Sequence, residues 1–307
     1  MSTTTLSGKT AIVTGAGAGL GRAEALALAQ AGANVVVNDI GAAADTVAAE
    51  IQALGPGAVA VKGDVGDWSL SDQMVTAAVD TFGSLDIVVN NAGVLRDTMI
   101  FNLTEKDWDD VIRVHLKGHA SLSSAAAVHW RAASKAAGGP VYGRLINTSS
   151  EAFLFGSAGQ PNYSAAKAGI TALTLSASQG LSRYGVTANV ICPRARTNMT
   201  AHVFAEDSRE GQLDILAPER VGTFVSYLAS PASAEINGQV FVVYGDMVGL
   251  MDSPKVEQKF SAANGTFSVE ELDAQLLPYF TGRSQLQTYA AYSVAELDTT
   301  GIENVAV

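Results

Sequence analysis

Three side chains in one short stretch of the chain are of types that can move a proton. Tyr163 and Lys167 stand four residues apart in NYSAAKAGITALTLSASQGL, and Ser150 lies 13 residues before Tyr163. Small and apolar residues recur there at helical spacing, so the two side chains leave one face of a helix. A phenol with a pKa of ~10 is a poor acid–base catalyst near neutrality. An ammonium within a few ångströms favours the phenolate and is expected to lower that pKa, which makes Tyr163 a candidate general acid/base. Ser150, at the mouth of the apolar run LINTSS, can aim a hydroxyl at the oxygen of a carbonyl or alcohol and stabilise charge developing on it. A Tyr and a Lys one turn apart also occur on ordinary amphipathic helices, so the pair gains meaning only from the elements around it.

Those elements alternate. TAIVTG, ANVVVND, AVAVKGD, LDIVVNN, GRLINTSS, TANVICP and QVFVVYG read as seven strands separated by Ala-rich segments long enough for crossover helices. Continuous Val/Ile runs suit strands buried on both faces, so the pattern predicts a doubly wound α/β (Rossmann) parallel seven-stranded sheet with helices on both sides. The first turn, Thr14 to Gly21, follows a strand and opens a helix, as a dinucleotide-binding turn requires. Gly15 allows the sharp turn, Gly19 lets the backbone approach a pyrophosphate, Leu20 is a further cofactor contact, and Gly21 lets the helix pack close to the sheet, so that the phosphates meet the free N–H groups at the helix N-terminus. Asp39 ends the second strand, 18 residues beyond Gly21. A carboxylate there accepts bonds from the adenosine ribose and repels a 2′-phosphate, and neither Ala18 nor Ile40 supplies a cation, so NAD is expected over NADP. Asp64 and Val65 end the third strand, where the adenine edge is expected. Asn90, Asn91, Ala92 and Gly93 close the fourth; small residues admit the nicotinamide ribose and the amides can tie loops together.

Composition narrows the classes. The 307 residues, 48% hydrophobic and 16% charged, describe a globular chain. A net charge of -11 argues against nucleic acid or an anionic membrane surface as partner. The lone cysteine, Cys192, sits in the apolar run ANVIC and reads as a buried structural thiol. With no secretory pattern at the start and no run of 18 or more apolar residues, a soluble cytoplasmic protein is expected.

TGxxxGxG at Thr14 to Gly21, NNAG at Asn90 to Gly93, and Ser150 with Tyr163-x-x-x-Lys167 stand in this order and at these spacings. Together they resemble the short-chain dehydrogenase/reductase family over about residues 6 to 250. The resemblance implies that Tyr163 exchanges the proton, Ser150 orients the substrate oxygen and Lys167 binds the nicotinamide ribose. It also implies a homotetramer or homodimer built through the helices near 100–130 and 160–184. VHLKGHA, VVVND and NAGVLRDTMIFNLTEKDWD are similar to the subgroup containing the dehydrogenase domain of the peroxisomal multifunctional enzyme and bacterial hydroxyacyl-CoA or steroid dehydrogenases.

The chain departs from the family pattern in three places. His115 stands where many members carry an asparagine of the proton relay; His115 and His119 are also spaced as a helical metal pair, but no third ligand is apparent and no metal site is expected. Pro193-Arg194 replaces Pro-Gly, with Thr197 beyond it as a cofactor contact. Tyr244-Gly245-Asp246 replaces a Gly-rich ending. Between Asn198 and Ala217 the family carries a substrate-covering loop; Met199, His202, Val203 and Phe204 either form its apolar inner face or belong to an ordinary surface helix. Residues 1–250 are expected to be the catalytic domain. Residues 251–307 form an extension docked on the core or a neighbouring subunit, with a short helix capped by Ser268 and Glu271 that Pro278 is expected to disrupt. The expected function is NAD-dependent hydride transfer on a secondary alcohol or ketone. A hydroxyacyl-CoA or steroid-like substrate is favoured, with a ketoacyl thioester or small-carbonyl reductase as alternative. A nucleotide-sensing regulator on the same fold is a different class of reading; it needs the glycine turn but not Ser150, Tyr163 and Lys167.

Overall fold

The computed structural model describes residues 4–197, 213–284, 287–294 and 297. Alternate residues of each apolar run go to opposite sides of one sheet, the two-residue period of a strand buried on both faces. Val13, Val37, Val89 and Ile146 pack in one core layer, Ile12, Val36, Val88 and Leu145 in the other. The strands are β1 (Thr10–Thr14), β2 (Asn34–Asp39), β3 (Ala58–Lys62), β4 (Ile87–Asn90), β5 (Gly143–Thr148), β6 (Val186–Pro193), β7 (Val240–Tyr244) and β8 (Met247–Leu250). Their order is β3-β2-β1-β4-β5-β6-β7-β8, parallel through β7. Helices α1 (Gly19–Gln30), α2 (Ala43–Leu54) and α8 (Pro218–Ala229) bring Leu28, Ile51 and Val225 to the first layer. On the other face α3 (Trp68–Phe82) and α5 (Gly118–Ala137) bring Met74, Leu122 and Trp130, while α7 (Pro161–Leu181) covers β5 and β6. The chain reverses direction across the sheet between β1 and β4, so their carboxyl ends open a crevice at the switch point.

The sheet has eight strands, one more than expected. Tyr244 pairs with Met247 across a two-residue turn in which Gly245 takes φ 59°, so the departure read at Tyr244-Gly245-Asp246 is a hairpin that adds an antiparallel edge strand. The extension contains α9 (Val269–Thr281), started as expected by Ser268 Oγ accepting from the Glu271 N–H at 3.1 Å. Pro278 does not disrupt it. It sits in the last turn, where its missing N–H forfeits only the bond to Ala274. Farther on, Val294 is buried in a small cluster with Val190, Cys192 and Val242. Met199, His202, Val203 and Phe204 lie outside the described residues. No described helix is long and apolar enough to cross a membrane.

Candidate active site

The first turn is built by close approach. A Cβ on Gly15 would stand 2.8 Å from Ala92 Cα, one on Gly17 2.8 Å from Asp39 Oδ2, and one on Gly21 2.3 Å from the Gly15 carbonyl. Asn91 fastens the turn from β4, its Nδ2 donating to Thr14 O at 3.1 Å, while Asn91 N and Ala92 N donate to Thr14 Oγ1. Gly15, Gly19, Leu20, Asp39, Asp64, Val65, Asn91, Ala92, Gly93, Tyr163, Lys167 and Thr197 all line one cleft of about 870 Å³. Gly21 lies beneath it as a packing residue. Asp39 accepts from Gly17 N at 2.9 Å and from Ile40 N at 2.8 Å, holding the carboxylate against the turn. The Asp64 carboxylate takes the Gly66 N–H and an ion pair with Arg113 at 2.6 Å, and these partners hold it below the usual carboxylate range against the opposing effect of its own partial burial. A glycine-floored turn that no Cβ could share, opening a helix beside a carboxylate, fits a dinucleotide: Gly15, Gly19 and Leu20 would face its pyrophosphate, and Asp39 its adenosine ribose.

Tyr163, Lys167 and Ser150 come together at the other end. Lys167 is buried, with Nζ donating to Thr148 O at 2.7 Å and standing 5.3 Å from the centroid of the Tyr163 ring. Tyr163 hydrogen-bonds Ser150, whose Oγ also accepts from Ala152 N at 3.2 Å. Ser150 does not itself line the cleft; this bond joins it to Tyr163, which does. The expected acidification of Tyr163 is absent. Burial pushes the phenol up to about 12, with the Ser150 hydrogen bond pulling the other way. Burial also carries the Lys167 ammonium down to about 7. Desolvation dominates both groups, an effect that helical spacing alone does not reveal.

His115 occupies the asparagine position inside a π-helical turn, Arg113–Lys117, between α4 (Glu105–Ile112) and α5. Its Nε2 lies 2.8 Å from Val94 O and its ring meets Tyr163 edge-on at 5.2 Å. Gly93 makes the space, since a Cβ there would come within 2.3 Å of the imidazole. Burial, and the Lys167 charge after it, hold His115 well below its ordinary pKa, so the ring is neutral; according to the tautomer, Nε2 donates to Val94 O or accepts from Val94 N at 3.0 Å. His119 is also buried, its pKa carried down to about 3 by the same two causes. No described cluster of three His, Cys, Asp or Glu accompanies the pair.

Two features escaped the sequence reading. Glu24 on α1 is fully buried; neither carboxyl oxygen has a partner among the described residues, and burial lifts its pKa to about 8 against the pull of Lys167. Glu151, next to Ser150, forms a buried two-bond ion pair with Arg194 at 2.6 and 2.7 Å. The departure at Pro193-Arg194 was the one available signal for the second; a single acid in an Ala-rich helix gave none for the first.

A doubly wound sheet with a glycine-floored cleft at its switch point and a Ser–Tyr–Lys set at the far end defines a Rossmann-fold oxidoreductase. The chain belongs to the short-chain dehydrogenase family, whose model matches residues 9–208. It is an oxidoreductase acting on CH–OH groups. It is 56% identical over 299 residues to the hydroxyacyl-CoA dehydrogenase ChsB1 of Mycobacterium tuberculosis, covering 94% of each chain. It is 40% identical over 252 residues to the peroxisomal multifunctional enzyme type 2 of Mus musculus, covering 79% of this chain and 32% of the mouse protein. A solved short chain dehydrogenase from Mycobacterium avium superposes with a TM-score of 0.81 at 42% identity, covering 91% of this chain and 96% of the other.

Proposed function

We propose that the protein is an NAD-dependent dehydrogenase of hydroxyacyl-CoA thioesters, the acyl part being apolar and steroid-like in bulk. The observation that carries the chemistry is Tyr163 at the end of the glycine-floored cleft, hydrogen-bonded to Ser150 and with buried Lys167 Nζ 5.3 Å from its ring centroid. The substrate class rests on similarity to a hydroxyacyl-CoA dehydrogenase that extends over 94% of the chain. The preference for NAD rests on the Asp39 carboxylate pinned beside Gly17.

Ser150 and Tyr163 receive the substrate oxygen between their hydroxyls and fix the reacting carbon over the cleft. Bound nicotinamide supplies the hydride chemistry. In oxidation the alcohol proton passes to Tyr163 Oη, and in reduction the same oxygen returns it. Ser150 donates to the substrate oxygen in both directions and favours whichever form carries more charge. Lys167, tied to Thr148 O and 5.3 Å from the centroid of the phenol ring, would meet the nicotinamide ribose. His115 holds the Val94 backbone that walls the cleft, and being neutral leaves the phenol as the proton-transfer group.

A second reading is favoured by one observation: burial keeps Tyr163 in its proton-donating form. That suits reduction of a ketoacyl thioester, and the chain is 40% identical over 256 residues to a 3-oxoacyl-[acyl-carrier-protein] reductase of Synechocystis. The test is NADH formation from NAD and a panel of hydroxyacyl-CoA thioesters and hydroxysteroids, with Tyr163→Phe as the blank. Tyr163-dependent turnover supports the first reading. Faster turnover of ketoacyl thioesters with NADPH would replace it by the second, and silence in both directions with NADH still bound would favour a nucleotide sensor. We further infer a catalytic domain over 1–250 with 251–307 as its extension, and a cytoplasmic homotetramer or homodimer. Exposed Val128 on α5 and Leu175 on α7 support contacts through those helices.

A further inference from the structure

Arg194 stands one residue beyond β6, in place of the family's glycine, and its guanidinium is spent on three separate parts of the chain. Nε and Nη2 donate to the two Glu151 oxygens at 2.6 and 2.7 Å, Nη2 also donates to Val294 O at 2.7 Å, and the group stacks 5.0 Å from the centroid of Tyr244 on β7. Both charged side chains are only 10% exposed. Removing two charges from water is costly, so such a pair is weak evidence for stability and better evidence for a defined geometry.

The geometry it defines is that of the Ser150 turn. Glu151 follows Ser150 and leads into α6 (Ala152–Phe155), whose first N–H, from Ala152, holds Ser150 Oγ. The C-terminal segment is fastened to that turn at two points. Ala291 N donates to Leu154 O at 2.7 Å, and Val294 O takes Arg194. Between the two points Val294 is buried against β6 and β7, with Phe153 and Leu154 at the edge of the same cluster. Neither Glu151, Arg194 nor Val294 lines the dinucleotide cleft. The junction therefore bears on the Ser150 turn from outside the cleft, although Pro193 and Ala195 on either side of Arg194 line it.

We propose that Glu151 and Arg194 are positioning residues that lock the C-terminal segment around Val294 onto the Ser150 turn, so that the placement of the substrate-orienting hydroxyl depends on the extension being docked. The proposal rests on the reading of Ser150 and Tyr163 as the oxygen-binding pair. Releasing the lock lets Ser150 drift, and an ångström of drift at a reacting centre costs about a hundredfold in rate.

Two variants test it in the full-length protein: Glu151→Gln, which keeps shape and removes charge, and the double change Glu151→Met with Arg194→Met, which replaces the pair by apolar volume and spares the fold an unpaired buried charge. Both are expected to bind NADH as the wild type does and to lose most of kcat, about tenfold to a hundredfold, on a hydroxyacyl-CoA thioester. In both, the Ala291 amide is expected to exchange its hydrogen faster by mass spectrometry. A purely structural role would weaken NADH binding along with kcat. Wild-type kcat with Ala291 still protected, or NADH affinity and kcat falling together, overturns the proposal. Tyr163→Phe run beside them separates the two readings: if that variant keeps turnover, the assignment of the site itself is wrong, whatever the lock does.

Discussion

Replacing Glu24 by glutamine tests whether the carboxyl on α1 is neutral in the native protein. The group is fully buried, lacks hydrogen-bond partners among the described residues, and has its pKa raised from 4.5 to about 8. A folded-state pKa above the unfolded one means that the native chain keeps a proton the unfolded chain has released. The associated stability is therefore complete below pH 4.5 and is lost as pH rises towards about 8. Each pH unit inside that window is worth ~1.4 kcal/mol, so from about pH 5 to pH 7 the wild type should lose about 3 kcal/mol relative to a variant that cannot titrate there. Lys167 works with the opposite sign, since its pKa is lowered from 10.5 to about 7 and its contribution grows as pH rises between those values. Confining the experiment to pH 5–7 keeps the two windows apart. His115 and His119, neutral in the folded chain, titrate equally in both proteins and cancel in the difference. Urea unfolding of wild type and Glu24→Gln at three pH values in that range gives the quantity directly. Parallel pH profiles would refute the reasoning, because they would mean that Glu24 is ionised and compensated in the native state.

Tyr163→Phe keeps the ring that packs on His115 and should leave NADH binding, read by fluorescence titration, unchanged while turnover falls by about 10²–10⁴. Asp39→Ser should raise the ratio of kcat/KM for NADP over NAD by about tenfold, ~1.4 kcal/mol, without abolishing chemistry, and an unchanged ratio would mean the adenosine ribose lies elsewhere. Gly21→Ala drives a Cβ to 2.3 Å from the Gly15 carbonyl, so a thermal melt should show a loss of about 1–3 kcal/mol together with weaker NADH binding.

What could be read from the sequence is what local pattern encodes. Seven strands announced themselves because a strand buried on both faces must be continuously apolar, and the Thr14–Gly21 turn because only glycine tolerates its contacts with Ala92 and Asp39. The eighth strand did not, because MVGL is short and its defining signal, a two-residue turn at Gly245-Asp246, read only as a departure from a family pattern. Ser150, Tyr163 and Lys167 were legible as types and spacing, but the direction of the Tyr163 pKa was not, because spacing says nothing about how much water each group loses. The Glu151–Arg194 pair joins residues 43 positions apart, and it exists only because β5 and β6 are neighbours whose ends turn towards each other. Pro278 was misjudged for a simpler reason: its cost depends on which turn of the helix it occupies, and that in turn depends on where α9 ends.

The buried ionisable groups around Tyr163 follow one rule and differ in how they meet it. Glu151 and Arg194 supply each other's hydrogen bonds, and that pairing raises the Arg194 pKa against its burial. His115 and His119 stay neutral because burial and the nearby ammonium both oppose protonation. Glu24, with no partner, holds its proton at neutral pH. Lys167, carried to about 7, stands beside the phenol with a charge that is adjustable in the working range. In the proposed oxidation an alcohol gives up its proton to Tyr163 Oη only after that oxygen has lost its own, and burial works against this. The protonated ammonium of Lys167, 5.3 Å from the ring centroid, is a positive charge able to offset part of the cost. Glu24 acts on this balance only through Lys167: its ionised form would raise the lysine pKa and favour the ammonium, its protonated form does not.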